Sequence, residues 1–392
     1  MRIGIFTDAY LPHISGVTTS IFMLVSGLRE KGHEVYIITT TVSSKKDIDD
    51  PYVIRLKGMI IPRKGLAAFR LVPFTAAHIK RIEALDLDLM HVHTEFSIGS
   101  VAVHLKDKHN LPMVFTVHTM YEEYLHYVSG FLNKFFRRPL MHYLKKLMAR
   151  FIKRAEVTLT PTEKVKDLML SYNIKGNYKI VPTGLDLSKF EKEKYTKDEV
   201  NNLKDELGIP KDKFVCLFIG RMSAEKSIDV LIEGFSKINH ENAVFVLVGD
   251  GPYKHVLEQK VKTMKLEHKF YFTGLVDWGK IGLYYQLGDV FLNASVTETQ
   301  GLTYIEALAA SLPVIVKYDE CLKEVVQENE NGLFFHNNKE LPVLLNMLIQ
   351  FPDVKNKLKQ NARVSIEKYS QECYTNSALL AYEEAIKINK AK

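Results

Sequence analysis

Residues 293–311 read NASVTETQGLTYIEALAAS. The run 302–310 has helix-forming composition, and the apolar VFLNAS leading into it reads as a buried strand. Glu298 then falls in a turn at the carboxyl end of a strand, with Glu306 about one turn into the next helix. Open α/β sheets bind ligands at that place. Main-chain N–H groups around 299–303 are the donors of a helix start, suited to an anion. Two carboxylates first suggest glycoside hydrolysis, where the pair sits about 5–9.5 Å apart. Eight helical residues span ~12 Å, and a partly extended start lengthens that. The spacing suits a ligand held at both ends with phosphates between. The plain structural alternative is a loop glutamate and a helix glutamate in an ion pair.

At 392 residues the chain allows two domains. Its composition, 46% apolar and 25% charged without a low-complexity tract, is globular. No apolar run comes near the ~18 residues of a membrane span. The start, MRIGIFTDAY, has too short an apolar stretch before Asp8 for a secretory signal. Cys216, Cys321 and Cys373 are too widely spaced for a disulfide framework or a metal knuckle, so a reducing cytoplasm is the default expectation.

The net charge of +7 is unevenly spread. Residues 51–154 carry 17 Lys/Arg against 7 Asp/Glu, while the remainder is slightly acidic. Stretches 51–82 and 124–155 hold seven and eight basic residues and no acid. One basic territory on a balanced protein implies an anionic partner surface, either lipid or nucleic acid.

Along the chain, short apolar strands alternate with amphipathic helices. RIGIFT, VYIITT, VIRLK, DLMHV, MVFTV, VTLTP and YKIVP are strands, with the first helix beginning near Thr18. This βαβ pattern gives a mostly parallel sheet covered on both faces. It lapses around 184–212 into a charged run ending at Gly208-Ile209-Pro210, read as a linker. A second series follows, with FVCLFIG, AVFVLVG, FYFTG, VFLNA and PVIVK as strands. The reading is α/β, two doubly wound domains, one over 1–185 and one over 186–369. The last helical stretch, about 370–392, is open to packing back on the first.

Three loops follow strand ends. DAYLPHISGVTTS offers Gly16 for close approach of backbone to a ligand and Thr18 or Thr19 as a helix cap. It is not a GxGxxG fingerprint, and a simple turn is equally consistent with it. IGRMSAEKS places Arg221 and Lys226 after the first strand of the second domain, and VGDGP places Gly249, Asp250 and Gly251 after the second. A fork and a point charge on the same rim as Glu298 suit a diphosphate, whereas an Arg and a Lys five apart also fit a solvated helix start.

With these residues the chain resembles the retaining glycosyltransferases of family 4. ETQGLTYIE is similar to their E-x7-E signature, and SGVTTS, TVHTMY, GRMSAEKS and GDGP stand in the family's order. The resemblance implies the GT-B fold, two Rossmann-like domains facing across a cleft with the last helix crossing back to the first. More narrowly, HVHTEFS, HTMYEEYLHYVS and the basic stretches are similar to the bacterial 1,2-diacylglycerol 3-glucosyltransferases. Those enzymes move glucose from UDP-glucose to diacylglycerol, giving monoglucosyldiacylglycerol.

By resemblance, Glu306 accepts hydrogen bonds from the nucleotide ribose, and Glu298 meets the sugar hydroxyls near the reacting carbon. Arg221 and Lys226 neutralise the diphosphate. The backbone of Thr299, Gln300, Gly301 and Leu302 holds phosphate and sugar, with Gly16 and Val17 meeting the phosphate from the first domain. Gly249 and Asp250 join the donor site, and Val276 meets the uracil by main chain. His118 stands beside the transferred sugar. The implied chemistry is front-face displacement, with no covalent nucleophile and no catalytic metal or other cofactor.

His91 and His93, at alternate strand positions, share a face, but two histidines without a third ligand are a weak zinc signal. With Glu95 and Tyr121 they are expected to line the acceptor side or simply to end a strand. In FLNKFFRRPLMHYLKKLMARFIKR, Leu140, Tyr143, Leu144, Leu147, Met148, Phe151 and Ile152 fall at helical spacing with Lys145, Lys146, Arg150, Lys153 and Arg154 on the other faces, and Arg137, Arg138, Lys145 and Lys146 are expected at the membrane. The stretch IIPRKGLAAFRLVPFTAAHIKRI adds Phe69 among Arg63, Lys64 and Arg70. Both fit amphipathic helices with one face in the core. Their lack of acids also fits peripheral attachment to anionic lipids at the cytoplasmic face of a cell membrane. Nucleic-acid binding is not expected, since no helix-turn-helix, RNP or zinc pattern accompanies the charge. Other lipid or polysaccharide acceptors, or epimerisation of the nucleotide sugar, remain as alternatives, and oligomeric state is left open.

Overall fold

The computed structural model describes residues 1–13, 15–41, 50–60, 70–120 and 130–392, the backbone alone at 60 and 130–137. The chain forms two compact units, Met1–Leu185 with Gln371–Lys392, and Asp186–Ser370.

The first unit contains β1 (Arg2–Phe6), β2 (Glu34–Thr40), β3 (Val53–Leu56), β4 (Met59–Ile60), β5 (Arg70–Leu71), β6 (Leu89–Val92), β7 (Met113–Thr116), β8 (Val157–Thr160) and β9 (Tyr178–Ile180). Seven of them make one sheet in the order β3-β2-β1-β6-β7-β8-β9, every pair parallel, and β4–β5 is a separate antiparallel pair. β6, β7 and β8 are buried at every position. Burial of every position, the polar His91, Thr116, Thr158 and Thr160 included, is what a parallel sheet covered on both faces imposes.

In the second unit β10 (Phe214–Ile219), β11 (Ala243–Val248), β12 (Phe270–Gly274), β13 (Val290–Asn293), β14 (Val314–Lys317) and β15 (Gly332–Phe335) run parallel in the order β12-β11-β10-β13-β14-β15. In each sheet the chain first builds outward on one side and then returns to the other side of its first strand. The strand order therefore reverses between β1 and β6, and again between β10 and β13. Loops leaving the carboxyl ends of those four strands surround the places where such sheets take ligands.

Two sequence expectations are corrected. The first helix, Gly16–Glu30, starts two residues earlier than expected. Ser15 is the cap, and Thr18 completes a reciprocal capping box by returning its hydroxyl to the Ser15 N–H at 2.7 Å. The charged run around 184–212 is not a linker. It holds a helix, Lys197–Leu207, with Thr196 and Glu199 as its capping box and Gly208 in the left-handed conformation at its end. High charge there marks a solvated helix face.

The helix Gln371–Lys390 belongs to the first unit. Tyr374 is hydrogen-bonded to Ser20 at 2.9 Å and Tyr382 to His91 Nδ1 at 2.8 Å. Lys106, buried, donates to Glu156 at 2.7 Å and to Asn389 at 2.6 Å, and Glu156 also accepts the Met113 N–H at 2.8 Å. Charges this deep are tolerated because each is paired and hydrogen-bonded. Gly27 lets the first and last helices meet, since a Cβ there would lie 2.1 Å from Thr375 Oγ1.

Candidate functional site

The stretch 293–311 folds as its pattern implies. After β13 the loop is set by Asn293, whose side-chain oxygen accepts the Ser295 N–H at 2.9 Å. Gly301, with φ +80°, precedes the helix Leu302–Ala309. Glu298 lies in the loop and Glu306 inside the helix, while Gln300 is buried. Thr299 and Leu302 are half-buried beside them.

Lys226 and Glu298 are brought together, Nζ to Oε1 at 2.5 Å. Lys226 ends a short 3-10 turn, Ala224–Lys226, in the loop leaving β10. Sheet order supplies the contact, because β10 and β13 are neighbours. Arg221, in the same loop, is more than half exposed and donates to buried Glu225 at 2.9 Å, which also accepts from Ser223 at 2.5 Å. Its guanidinium is thus tethered at one corner and faces outward.

The GDGP loop after β11 lies directly on the loop after β10. Gly249 has φ +130°, and a Cβ on it would come 2.0 Å from the Gly220 carbonyl oxygen. Asp250 closes the turn by accepting the Gly251 N–H at 2.7 Å, and its carbonyl accepts Met222 N–H at 2.9 Å. Close backbone approach is reason enough for glycine here. Val276 is half-buried in the loop following β12.

Glu306 is buried, and its Oε2 accepts the Tyr285 hydroxyl at 2.6 Å. Burial pushes its carboxyl up to about 7, partly offset by the Tyr285 hydrogen bond and the charge of Lys189. The Lys189 ammonium donates to the Trp278 carbonyl at 2.7 Å and lies 3.7 Å from the centre of the indole. Burial lowers its pKa, opposed by Glu306, Asp186 and Asp277. Tyr285, Lys189 and Trp278 were not singled out from the sequence. A tyrosine in a short helix and a lysine in a charged run carry no local mark of their destination.

In the first unit, Gly16 is exposed with nothing within 4 Å of a would-be Cβ, and Val17 is half-buried beside it. The loop after β1 is fixed by Asp8, whose Oδ1 accepts Ser97 Oγ at 2.8 Å and the Ile98 N–H at 3.0 Å. Its Oδ2 accepts Thr94 Oγ1 at 2.6 Å. Asp8 thereby joins the loops after β1 and β6. Sequence reading used this residue only to rule out a signal segment.

The histidines form a stack. His91 and His93 ring centres are 4.0 Å apart, and His93 and His118 are 5.1 Å apart with nearly parallel planes. His91 is fully buried, with Nδ1 against Tyr382 and Nε2 against Thr116 Oγ1 at 2.6 Å. Both nitrogens are engaged, so the structure makes His91 a brace between β6, β7 and the last helix, where a cleft-lining role was expected. His93 Nδ1 is 2.9 Å from His118 Nε2. Burial lowers all three, His91 to about 3 and His118 to about 4. Glu95 is buried. Tyr121 lies outside the described residues, and among those described no group of three His, Cys, Asp or Glu has a metal-binding arrangement.

The second basic stretch forms the helix Gly130–Ile152. Met148, Phe151 and Ile152 enter the core, Leu140, Leu144 and Leu147 are half-buried, and Tyr143 is 61% exposed. Arg138 and Lys146 are exposed, whereas the Lys145 ammonium sits 3.9 Å from the centre of the Tyr172 ring. Arg70 is half-buried in β5, near exposed Met59, Leu71 and Phe74. Arg63, Lys64 and Phe69 lie outside the described residues, as does the Arg137 side chain. No helix of the described residues is long and apolar enough to cross a membrane.

Residues 14–189 match the profile described as Glycosyltransferase Family 4, and 199–365 match Glycosyl transferases group 1. The chain is 43% identical to the alpha-monoglucosyldiacylglycerol synthase of Acholeplasma laidlawii, across 100% of this chain and 99% of that protein. The chain is a family 4 glycosyltransferase. A second alpha-monoglucosyldiacylglycerol synthase, from Streptococcus pneumoniae, is 33% identical over 90% of this glycosyltransferase and 80% of its own length. Anabaena Alr3699/HepE, solved in complex with UDP and glucose, superposes with a TM-score of 0.76 at 16% identity, covering 98% of this chain and 99% of that one. That likeness places the glycosyltransferase in the GT-B fold.

Proposed function

We propose that the protein transfers glucose from UDP-glucose to the free hydroxyl of 1,2-diacylglycerol, with retention, giving alpha-monoglucosyldiacylglycerol. The observation that carries this reading is 43% identity, end to end, with a protein bearing that product's name.

The site chemistry is compatible with it. As the bond between the anomeric carbon and the phosphate oxygen breaks, negative charge grows on the diphosphate. Lys226 and the outward Arg221 stabilise it, a contribution of the kind worth about 2.7–4 kcal/mol per well-placed group. The acceptor oxygen forms the new bond on the same face, and its proton passes to the departing phosphate. In this reading Glu306 receives the ribose hydroxyls, Glu298 orients the hexose while holding Lys226, and His118 is assigned a hydrogen bond to the transferred sugar. No step uses a metal. Exposed Arg138, Lys146 and Tyr143, with Met59, Leu71 and Phe74, support docking on anionic lipid.

The test is incubation with radiolabelled UDP-glucose or UDP-galactose and diacylglycerol in anionic vesicles, with the product anomer read by NMR. An α-glucolipid is expected. Product from another sugar only, free glucose only, or an isomeric nucleotide sugar would each overturn the assignment.

A further inference from the structure

We infer that His93 is a positioning residue that fixes the tautomer of His118, so that His118 offers the sugar an Nδ1–H donor and not a basic lone pair. The inference rests on the proposed role of His118 beside the transferred sugar, but its structural half stands on the histidine stack alone.

His93 Nδ1 and His118 Nε2 are 2.9 Å apart, so one proton lies between them. Both rings are neutral at pH 7, because burial holds His118 at about 4 and His93 well below its usual value. A neutral imidazole has one donor and one acceptor nitrogen, which leaves two arrangements. Either His93 donates from Nδ1, leaving His118 protonated on Nδ1, or His118 donates from Nε2, leaving its Nδ1 a lone pair and His93 protonated on Nε2.

The far side of His93 discriminates between them. Its Nε2 is buried and meets no hydrogen-bonding partner among the described residues. The second arrangement would put an N–H donor there with nothing to receive it, and orphaned buried N–H groups are the rarest kind. The first puts only an imine lone pair at that spot. His93 cannot swing away to relieve either state. Its main-chain N–H is bonded to the Phe6 carbonyl at 2.9 Å, and its ring is held against His91 and edge-on to His118. His91 is itself locked by Tyr382 and Thr116. The tautomer of His118 is thus set from the core outward, as partner groups set the tautomer of catalytic and metal-bound histidines elsewhere.

Long-range proton–nitrogen NMR spectra of the full chain, labelled with 15N-histidine, read each ring's tautomer directly, with assignment from single His variants. His93 and His118 are both expected as Nδ1–H tautomers. An Nε2–H tautomer at His118 in the unaltered protein would overturn the inference, whether or not the enzyme makes glucolipid. Two variants extend the test. His93→Asn keeps a donor near the position of Nδ1, while His93→Leu removes it. His93→Leu should shift His118 toward Nε2–H and lower kcat by about tenfold to 100-fold with little change in the KM for UDP-glucose. His93→Asn should restore most of both. Equal losses in the two variants, or an unmoved His118 tautomer in His93→Leu, would count against His93 as the determinant. If the protein proves not to transfer glucose, the NMR result still decides the proton's place.

Discussion

Glu306 combines burial with a proposed role, holding the nucleotide ribose, that needs its charge. A ribose diol donates to a carboxylate, so protonation weakens the contact. With the carboxyl at about 7, the ionised form is lost as pH falls through that value. UDP-glucose should therefore bind about tenfold more weakly at pH 6 than at pH 8, and the donor's diphosphate diester does not titrate in that interval. Trp278, the only tryptophan and a neighbour of Lys189, offers a fluorescence readout. Tyr285→Phe removes a hydrogen bond that lowers the Glu306 pKa, so the midpoint of the binding profile should move to higher pH. An unchanged midpoint would separate Tyr285 from the site. Lys226→Ala should reduce kcat about 100- to 1000-fold, in line with the loss of one group stabilising developing charge, while the thermal melt shifts little. Glu298→Ala should mainly slow transfer and Glu306→Ala mainly weaken donor binding. Parallel losses in both parameters for both glutamates would erase that distinction.

Among the elements, the last helix has the most varied attachment. It joins the first unit through the paired buried charges Lys106 and Glu156, through Tyr374 and Tyr382, and through direct contact at Gly27. Gly27→Ala places a methyl group 2.1 Å from the Thr375 hydroxyl. The two helices would have to separate, at a cost of about 1–3 kcal/mol typical of overpacking, measurable by urea unfolding. Thr375→Gly in the same chain should recover part of it by clearing the collision. No recovery would mean that the helices do not meet as closely as described. The helix Lys197–Leu207 teaches a different lesson. Its high charge resembles that of a tether, but T-x-x-E at its start and the closing glycine are the marks of a capped helix.

For the molecule as a whole, the uneven charge is what the proposed docking on anionic lipid depends on. Near an anionic leaflet each cation contributes about 1 kcal/mol. Arg138→Glu with Lys146→Glu should thus cut sedimentation with phosphatidylserine vesicles by tenfold or more and leave UDP-glucose binding unchanged. Lys145→Glu should do less to the vesicle contact and more to stability, because Lys145 is already engaged over Tyr172. Undiminished pelleting with zwitterionic vesicles at high salt would reject the electrostatic account.

The two-domain α/β reading, the strand–turn–helix around Glu298 and Glu306, and the membership of family 4 were all legible in the linear order of residues. Those features depend on hydrophobic period, turn chemistry and helix composition, which act over a few neighbours. The contacts on which the proposed chemistry turns were not legible. Lys226 meets Glu298 across 72 positions, Tyr285 meets Glu306 from a separate short helix, and Tyr382 reaches His91 from the far end of the chain. Such pairs exist because parallel strands return beside an earlier strand and helices pack back on one another and on the sheet, so that residues distant in sequence converge. A side chain's hydrogen-bond partner, and with it the pKa or the tautomer, is settled only once that convergence has excluded water.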